Sequence, residues 1–272
     1  MQCVFHYRAD GDWATNSVPR DRMPEIHTRY ASDLFSLILQ RGPPHLSRQR
    51  APRDRAVGCC RDATVLFVSM ARRKGIPCRM RVGCASYFRE GWWLDHTVAE
   101  VWDEGEARWR LVDPELDVEG QKRTAGGKVV DYLDLTDGQF MNAGQAWEAA
   151  RKGRVDAGRF VVAPEIDHPA MRGLPYLAAN VVCDLVGLNK VEMLLWDSWG
   201  VNLEEKLSET TKTLLDGISE VTKGSGGEIK VEEVKRLAGI EGVKVPEVVT
   251  RYDPSGGPPV TVAMGRALGI QG

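Results

Sequence analysis

The feature that most constrains this chain is the junction Gly58-Cys59-Cys60-Arg61-Asp62 and the amphipathic run that follows it. Ala63, Leu66, Phe67, Met70 and Ala71 recur at helical spacing and form one apolar stripe over 60–74. Arg72, Arg73 and Lys74 crowd its last turn, where cations suit the helix dipole, and Gly75 and Pro77 end it. A buried helix with a cysteine at its first turn is therefore the centre around which the rest must pack. Unpaired backbone N–H groups and the positive dipole end at such a position favour a thiolate.

Two strand patterns follow. Thr97 to Trp102 alternates, with His96, Val98, Glu100 and Trp102 on one face. Trp109 to Asp113 alternates with Trp109, Leu111 and Asp113 together, and Asp103-Glu104-Gly105-Glu106 reads as the turn between the two. A four-residue loop there predicts that 102 faces 107 and that His96 faces Asp113. Arg79 to Phe88 is a further strand candidate. Cys60, His96 and Asp113 then have the types and order of a nucleophile, a base and an orienting carboxylate. Taken singly, each has a structural reading as well: a core cysteine, a satisfied histidine, a strand-end aspartate. Cys59 is the rival nucleophile, but it lies about 100° round the helix from Cys60, away from the apolar stripe, and reads rather as a packing neighbour, a redox partner or a substrate contact. Asp95 points to the face opposite His96. Arg61 and Asp62 read equally as first-turn charges or as braces of the loop.

Elsewhere the pattern is mostly helical. His27 to Gln40, Asn142 to Lys152, Met171 to Leu188, Val191 to Trp199 and Asn202 to Val221 carry apolar periodicity, the last with Asn202 as N-cap and Glu205 three residues on. Residues 1–25 read as irregular or edge structure and 45–57 as an exposed basic approach. Lys223-Gly-Ser-Gly-Gly reads as a flexible linker, followed by a short helix near Val231 to Leu237 and a loop at 254–259. The expected organisation is a catalytic unit over 1–200, a helix over 201–222 packed on it, and a linker and tail over 223–272.

A formal net charge of −2 argues against a nucleic-acid surface, and no apolar run approaches membrane-spanning length, so neither nucleic acid nor membrane is expected as a partner. The first residues lack a basic-then-apolar signal, so six cysteines read as free thiols in the reducing cytoplasm. Cys78 and Cys84 read as buried small hydrophobes. A zinc site from Cys59, Cys60 and His96 lacks the usual ligand spacing, so no metal or other cofactor is expected.

At these residues the chain resembles the transglutaminase-like cysteine enzymes, whose core is similar to that of papain-like proteases. The resemblance lies in Gly58-Cys59-Cys60-Arg61-Asp62, in Arg73-Lys74-Gly75-Ile76-Pro77-Cys78-Arg79, in the strand Asp95 to Trp102 and in Trp109-Arg110-Leu111-Val112-Asp113-Pro114. Residues 135–200 also resemble a bacterial-type branch of that superfamily, through Ala143 to Trp147, Leu188 to Glu192 and Trp196-Asp197. It implies an α+β fold with a Cys-bearing helix on an antiparallel sheet and additional C-terminal helices. It also implies Cys60, His96 and Asp113 as the catalytic triad, with no calcium-site acidic cluster recognisable. The expected reaction is acyl transfer through a Cys60 thioester that forms or exchanges an amide. The acyl donor would be a small molecule or peptide, free or carrier-protein-bound, and the acceptor an amine or water. An amide or thioester hydrolase and a non-catalytic binding protein are the alternatives. Tyr87, Trp92, Trp93 and Trp102 read either as the wall of a dry substrate tunnel or as sheet core. Asn180, Asp184, Asn189, Lys190 and Asp197 read as cleft contacts or as solvated helix faces.

Overall fold

The computed structural model describes residues 4–6, 19–42, 46, 50–116, 124–203, 206–254 and 256–265. In chain order, β1 (Val4–His6) is followed by α1 (Ala31–Arg41) and β2 (Ala56–Gly58), the last pairing parallel with β1. Then come α2 (Cys60–Arg73), β3 (Cys78–Ala85), β4 (Trp93–Asp103) and β5 (Arg108–Val112). After them lie β6 (Phe140–Asn142), α3 (Ala143–Arg151), β7 (Phe160–Val161), α4 (Gly173–Leu188) and β8 (Asp197–Ser198). The chain closes with α5 (Glu209–Thr222), α6 (Val231–Ala238), β9 (Val248–Arg251) and β10 (Val260–Ala263). The central sheet runs β5-β4-β3-β6 with antiparallel neighbours, and β7 adds to the start of β4. This is the expected α+β architecture. Among the described residues no helix is long and apolar enough to cross a membrane.

Helix α2 is buried nearly all round for its first two turns, from Cys60 to Leu66. Of the stripe read from sequence, Ala63, Leu66 and Ala71 are buried, whereas Phe67 and Met70 are only half-buried. The line toward the sheet is Cys60, Thr64, Val68 and Ala71. The Thr64 hydroxyl donates to the Thr97 carbonyl oxygen at 3.1 Å, and Val68 and Ala71 pack with Cys78 and Ala99. Cys60 thus stays in phase with the sheet-facing side. Polar and small residues there were invisible to an apolar count.

The β4–β5 hairpin keeps the expected parity but not the expected register. Asp103 pairs with Arg108 and Trp102 with Trp109, so the loop is 104–107 rather than 103–106. The Trp102 and Trp109 rings meet edge to face at 5.9 Å, a contact that outweighs the acidic turn signal. Continued past Val112, that register puts Asp113 opposite Val98, two residues short of the position opposite His96, yet on the same face, because the slip is an even number.

The later elements differ more. Residues 191–199 are not helical. The Asp197 carboxylate accepts the Leu194 N–H at 2.9 Å and pairs with Arg29, which holds a turn there. Helix α5 starts at Glu209, capped by Ser208, whose hydroxyl accepts the Thr211 N–H at 3.0 Å. Asn202 instead ends up in a short 3-10 turn, and Glu205 lies outside the described residues. The 45–57 approach contains buried Arg50, Ala56 and Val57, while His45 lies outside the described residues. Where 223–227 was expected to be a flexible linker, the Gly224 and Gly226 carbonyls accept from Arg81 and Arg79, and the Gly226 N–H reaches Glu100 at 2.7 Å. The main core joins Val65, Met80 and Val82 to Trp147, Leu177, Leu215, Val234, Val249 and Met264.

Candidate active site

Cys59 is the N-cap of α2, with extended backbone, and its N–H is accepted by the Asp62 carboxylate at 2.9 Å. Arg61 is buried and donates to the carbonyls of Thr28, Arg29, Glu192 and Met193 as well as to Asp62. One guanidinium thus ties the start of the helix to two distant loops. Of the two sequence readings for Arg61 and Asp62, the bracing one holds.

His96 is buried on β4, opposite Gly83. A Cβ at Gly83 would lie 2.0 Å from the Met141 carbonyl oxygen, so only glycine lets β6 approach here. The His96 Nε2 lies 2.8 Å from Asp113 Oδ2. Asp113 is fully buried and otherwise held: Oδ2 also accepts the Tyr87 hydroxyl at 2.6 Å, and Oδ1 accepts the N–H groups of Glu115 at 2.8 Å and Leu116 at 3.3 Å. Its own N–H donates to the Tyr132 carbonyl at 2.8 Å. A carboxylate ringed by donors assigns the proton to Nε2 and leaves Nδ1 on the other side of the ring. Glu115 Oε2 lies on that side, 3.8 Å from Nδ1, and Cys60 Sγ, a His96 ring nitrogen and a Glu115 carboxylate oxygen lie within 4.8 Å of one another. The Phe88 and Tyr87 rings meet His96 edge-on at 5.0 and 6.0 Å.

The electrostatics favour an ion pair. The neighbouring Cys59 thiol is the strongest influence lowering the Cys60 pKa; burial opposes it, and His96 adds to it, so the thiol falls to about 7. Burial works against the His96 imidazolium, but the Asp113 carboxylate overcomes this and the pKa is raised well above its usual value. Cys59 moves the other way, well up, through its hydrogen bond to Cys60 and its burial. The vicinal pair thus divides into one thiol that ionises and one that keeps its proton.

Of the remaining residues read from sequence, Tyr87 is at the site, as a donor to Asp113. Trp93 stacks on Phe160 at 6.1 Å, Trp92 lies under the Arg159 guanidinium, and Trp102 belongs to the hairpin. Asp95 does face away from His96, accepting from Tyr176 at 2.8 Å and Asn180 at 3.1 Å. Asn180, Asp184 and Asp197 are neither cleft contacts nor solvated: all three are buried and bonded within the fold. Asn189 caps the end of α4, and Lys190 follows it in the left-handed region. Sequence reading missed Glu115 and Phe88. An acidic residue two places past the strand-end Asp113 was the available signal.

Among the described residues, Cys60, His96 and Glu115 form the one cluster with a metal-binding donor set. The Nδ1–Oε2 separation is 3.8 Å.

A cysteine at a helix start, facing a carboxylate-held histidine on an antiparallel sheet, defines a class of cysteine-based enzyme. Residues 40–114 match the family model of the transglutaminase-like superfamily. That segment holds α2, β3, β4 and β5 with all three triad candidates, and the superfamily is generally one of cysteine-dependent enzymes. No curated protein and no solved structure matches the chain.

Proposed function

We propose that the protein is a cysteine-dependent acyltransferase that works through a Cys60 thioester. The observation that carries this is the bond from His96 Nε2 to buried Asp113, with the thiol at the head of α2 in the same cluster, which leaves Nδ1 as the nitrogen to exchange a proton with it. In the first half-reaction the Cys60 thiolate attacks the acyl carbonyl and the imidazolium gives its proton to the leaving group. In the second, an acceptor gives its proton to Nδ1 as it attacks the thioester, and the thiolate departs. Asp113 holds the tautomer through both. Backbone N–H groups at the start of α2 would face the developing oxyanion. Tyr87 serves by fixing Asp113, and Cys59 by donating to the thiolate. For Trp92 and Trp93, contacts with Arg159 and Phe160 support packing rather than a substrate wall. The part over 1–200 is proposed as the catalytic unit.

Substoichiometric iodoacetamide labelling, followed by intact mass and peptide mapping, tests this. Fast labelling of Cys60 near neutral pH, slowed in His96→Ala, is expected. Slow labelling that follows an ordinary thiol titration and ignores the mutation would sink the reading. Preferential labelling of Cys59 would overturn the choice of nucleophile. A trapped acyl-enzyme that partitions to water in the presence of amines would make the enzyme a hydrolase.

A further inference from the structure

A cavity of about 250 Å³ lies between the C-terminal ends of α4 and α6 and shares no residue with the Cys60 site. Its floor is apolar: Val186, Ala238 and Val245 are buried, and Val191 is half-buried. Its polar lining consists of Lys235, Lys244 and Asn189, with no acidic side chain. Among the described residues, neither the Lys244 ammonium nor the Asn189 carboxamide has a partner. Lys235 pairs with Glu232 at 3.0 Å across an exposed turn of α6, a bond that water and salt exchange readily. The two helix ends do not need these cations. Backbone N–H groups of Asn189, Lys190 and Val191 cover carbonyls in the last turn of α4, and those of Gly239 and Ile240 do so for α6. Gly239 also lines the cavity. Its φ is −90°, an ordinary right-handed value, and a Cβ there would meet nothing closer than the Arg236 carbonyl oxygen at 3.5 Å. Neither backbone nor packing requires a glycine at 239, and what its missing side chain leaves is room.

We infer that this cavity binds a small organic anion with a short apolar tail, a carboxylate or a phosphate monoester. The valines and Ala238 take the tail, and the two lysines take the head group, with Asn189 as a further donor. Lys190, exposed between the lining residues Asn189 and Val191, adds a third positive charge nearby. The volume is below that of a drug-sized pocket, which limits the tail to a few carbons. Each methylene moved from water onto the apolar floor strengthens binding, and fixed cations beside a low-dielectric wall select an anionic head over a neutral or cationic one. The site goes beyond the thioester reading and does not depend on it.

Isothermal titration of the full chain at low ionic strength tests this, with hexanoate, hexyl phosphate, acetate and hexylammonium as probes. Hexanoate should bind roughly tenfold or more tightly than acetate, the scale of several partly buried methylenes. Hexylammonium should give no measurable binding. Lys244→Glu should weaken hexanoate by about tenfold or more, the scale of reversing one charge at ~5 Å near a protein surface. Gly239→Leu, which places a side chain in the cavity, should abolish hexanoate binding. Circular dichroism reports whether each variant is folded. One variant changes charge and the other volume, so either decides the question if its counterpart misfolds. Absence of hexanoate binding, equal binding of hexanoate and hexylammonium, or hexanoate binding unchanged in the folded variants overturns the inference. Tighter binding of hexyl phosphate than of hexanoate assigns the head group to a phosphate monoester, and the reverse order assigns it to a carboxylate. None of these readouts involves Cys60, so failure of the thioester reading and failure of this site are separate results.

Discussion

Two buried charge clusters share the β3–β4 sheet and differ in what they leave over. Around Arg81, every guanidinium N–H is used. Nε and Nη2 grip Asp184 at 3.1 and 3.0 Å, Nη1 reaches Glu100 at 3.2 Å, and the remaining donors reach the carbonyls of Gly224 and Thr222. Arg79 closes the set by donating to Glu100 at 2.6 Å, so two cations face two carboxylates. Four residues away on β4, His96 makes one such bond, to Asp113; its other nitrogen lies 3.8 Å from a second carboxylate, and the Cys60 thiol belongs to the same cluster. The first cluster fastens α4 and the 222–226 segment to the sheet. The second is held equally firmly on one side and left reactive on the other. Burial of charge does not by itself mark chemistry.

That contrast can be broken at several points. The largest effect is expected from His96→Ala, which should slow Cys60 alkylation or acylation by about 10²–10⁴-fold, the usual range for a positioned acid–base. A large loss of stability with the labelling rate intact would make His96 structural.

Arg81→Met should do the reverse. Leaving Asp184 and Glu100 buried without their cation should cost about 3–5 kcal/mol in denaturant unfolding. Labelling of Cys60 in the folded fraction should be retained. Loss of labelling in fully folded protein would show that the two clusters are one unit.

A smaller effect concerns pH. The Cys60 thiol lies at about 7, so its alkylation rate should fall as pH drops through 7. His96 is raised, so the imidazolium persists over that range and the loss reflects protonation of sulfur alone. A midpoint at the ordinary thiol value would contradict the ion pair.

The smallest effect is expected from Cys59→Ala. The Cys59 thiol is the strongest influence lowering Cys60, so removing it should move that midpoint upward and slow labelling several-fold near pH 6.5. A midpoint left in place would reduce Cys59 to an N-cap.

Much of the site was legible before any coordinates. Local signals placed Cys60 at a helix start, because capping and dipole preferences act within one turn. The two-residue period of strands put His96 and Asp113 on one face and Asp95 on the other, and an even register slip leaves that parity intact. The triad candidates and the α+β class thus follow from short-range rules applied to 58–114. Tertiary packing decided the rest. The Trp102–Trp109 contact set the true register, and Asp197 bonded to Arg29 turned an apolar periodic stretch into a loop. Arg79, Arg81 and Glu100 converted a glycine-rich segment into a fastened one. Glu115 joined the site across a proline turn. Each of these depends on a partner distant in sequence, and local periodicity carries no information about which buried charge will find which mate.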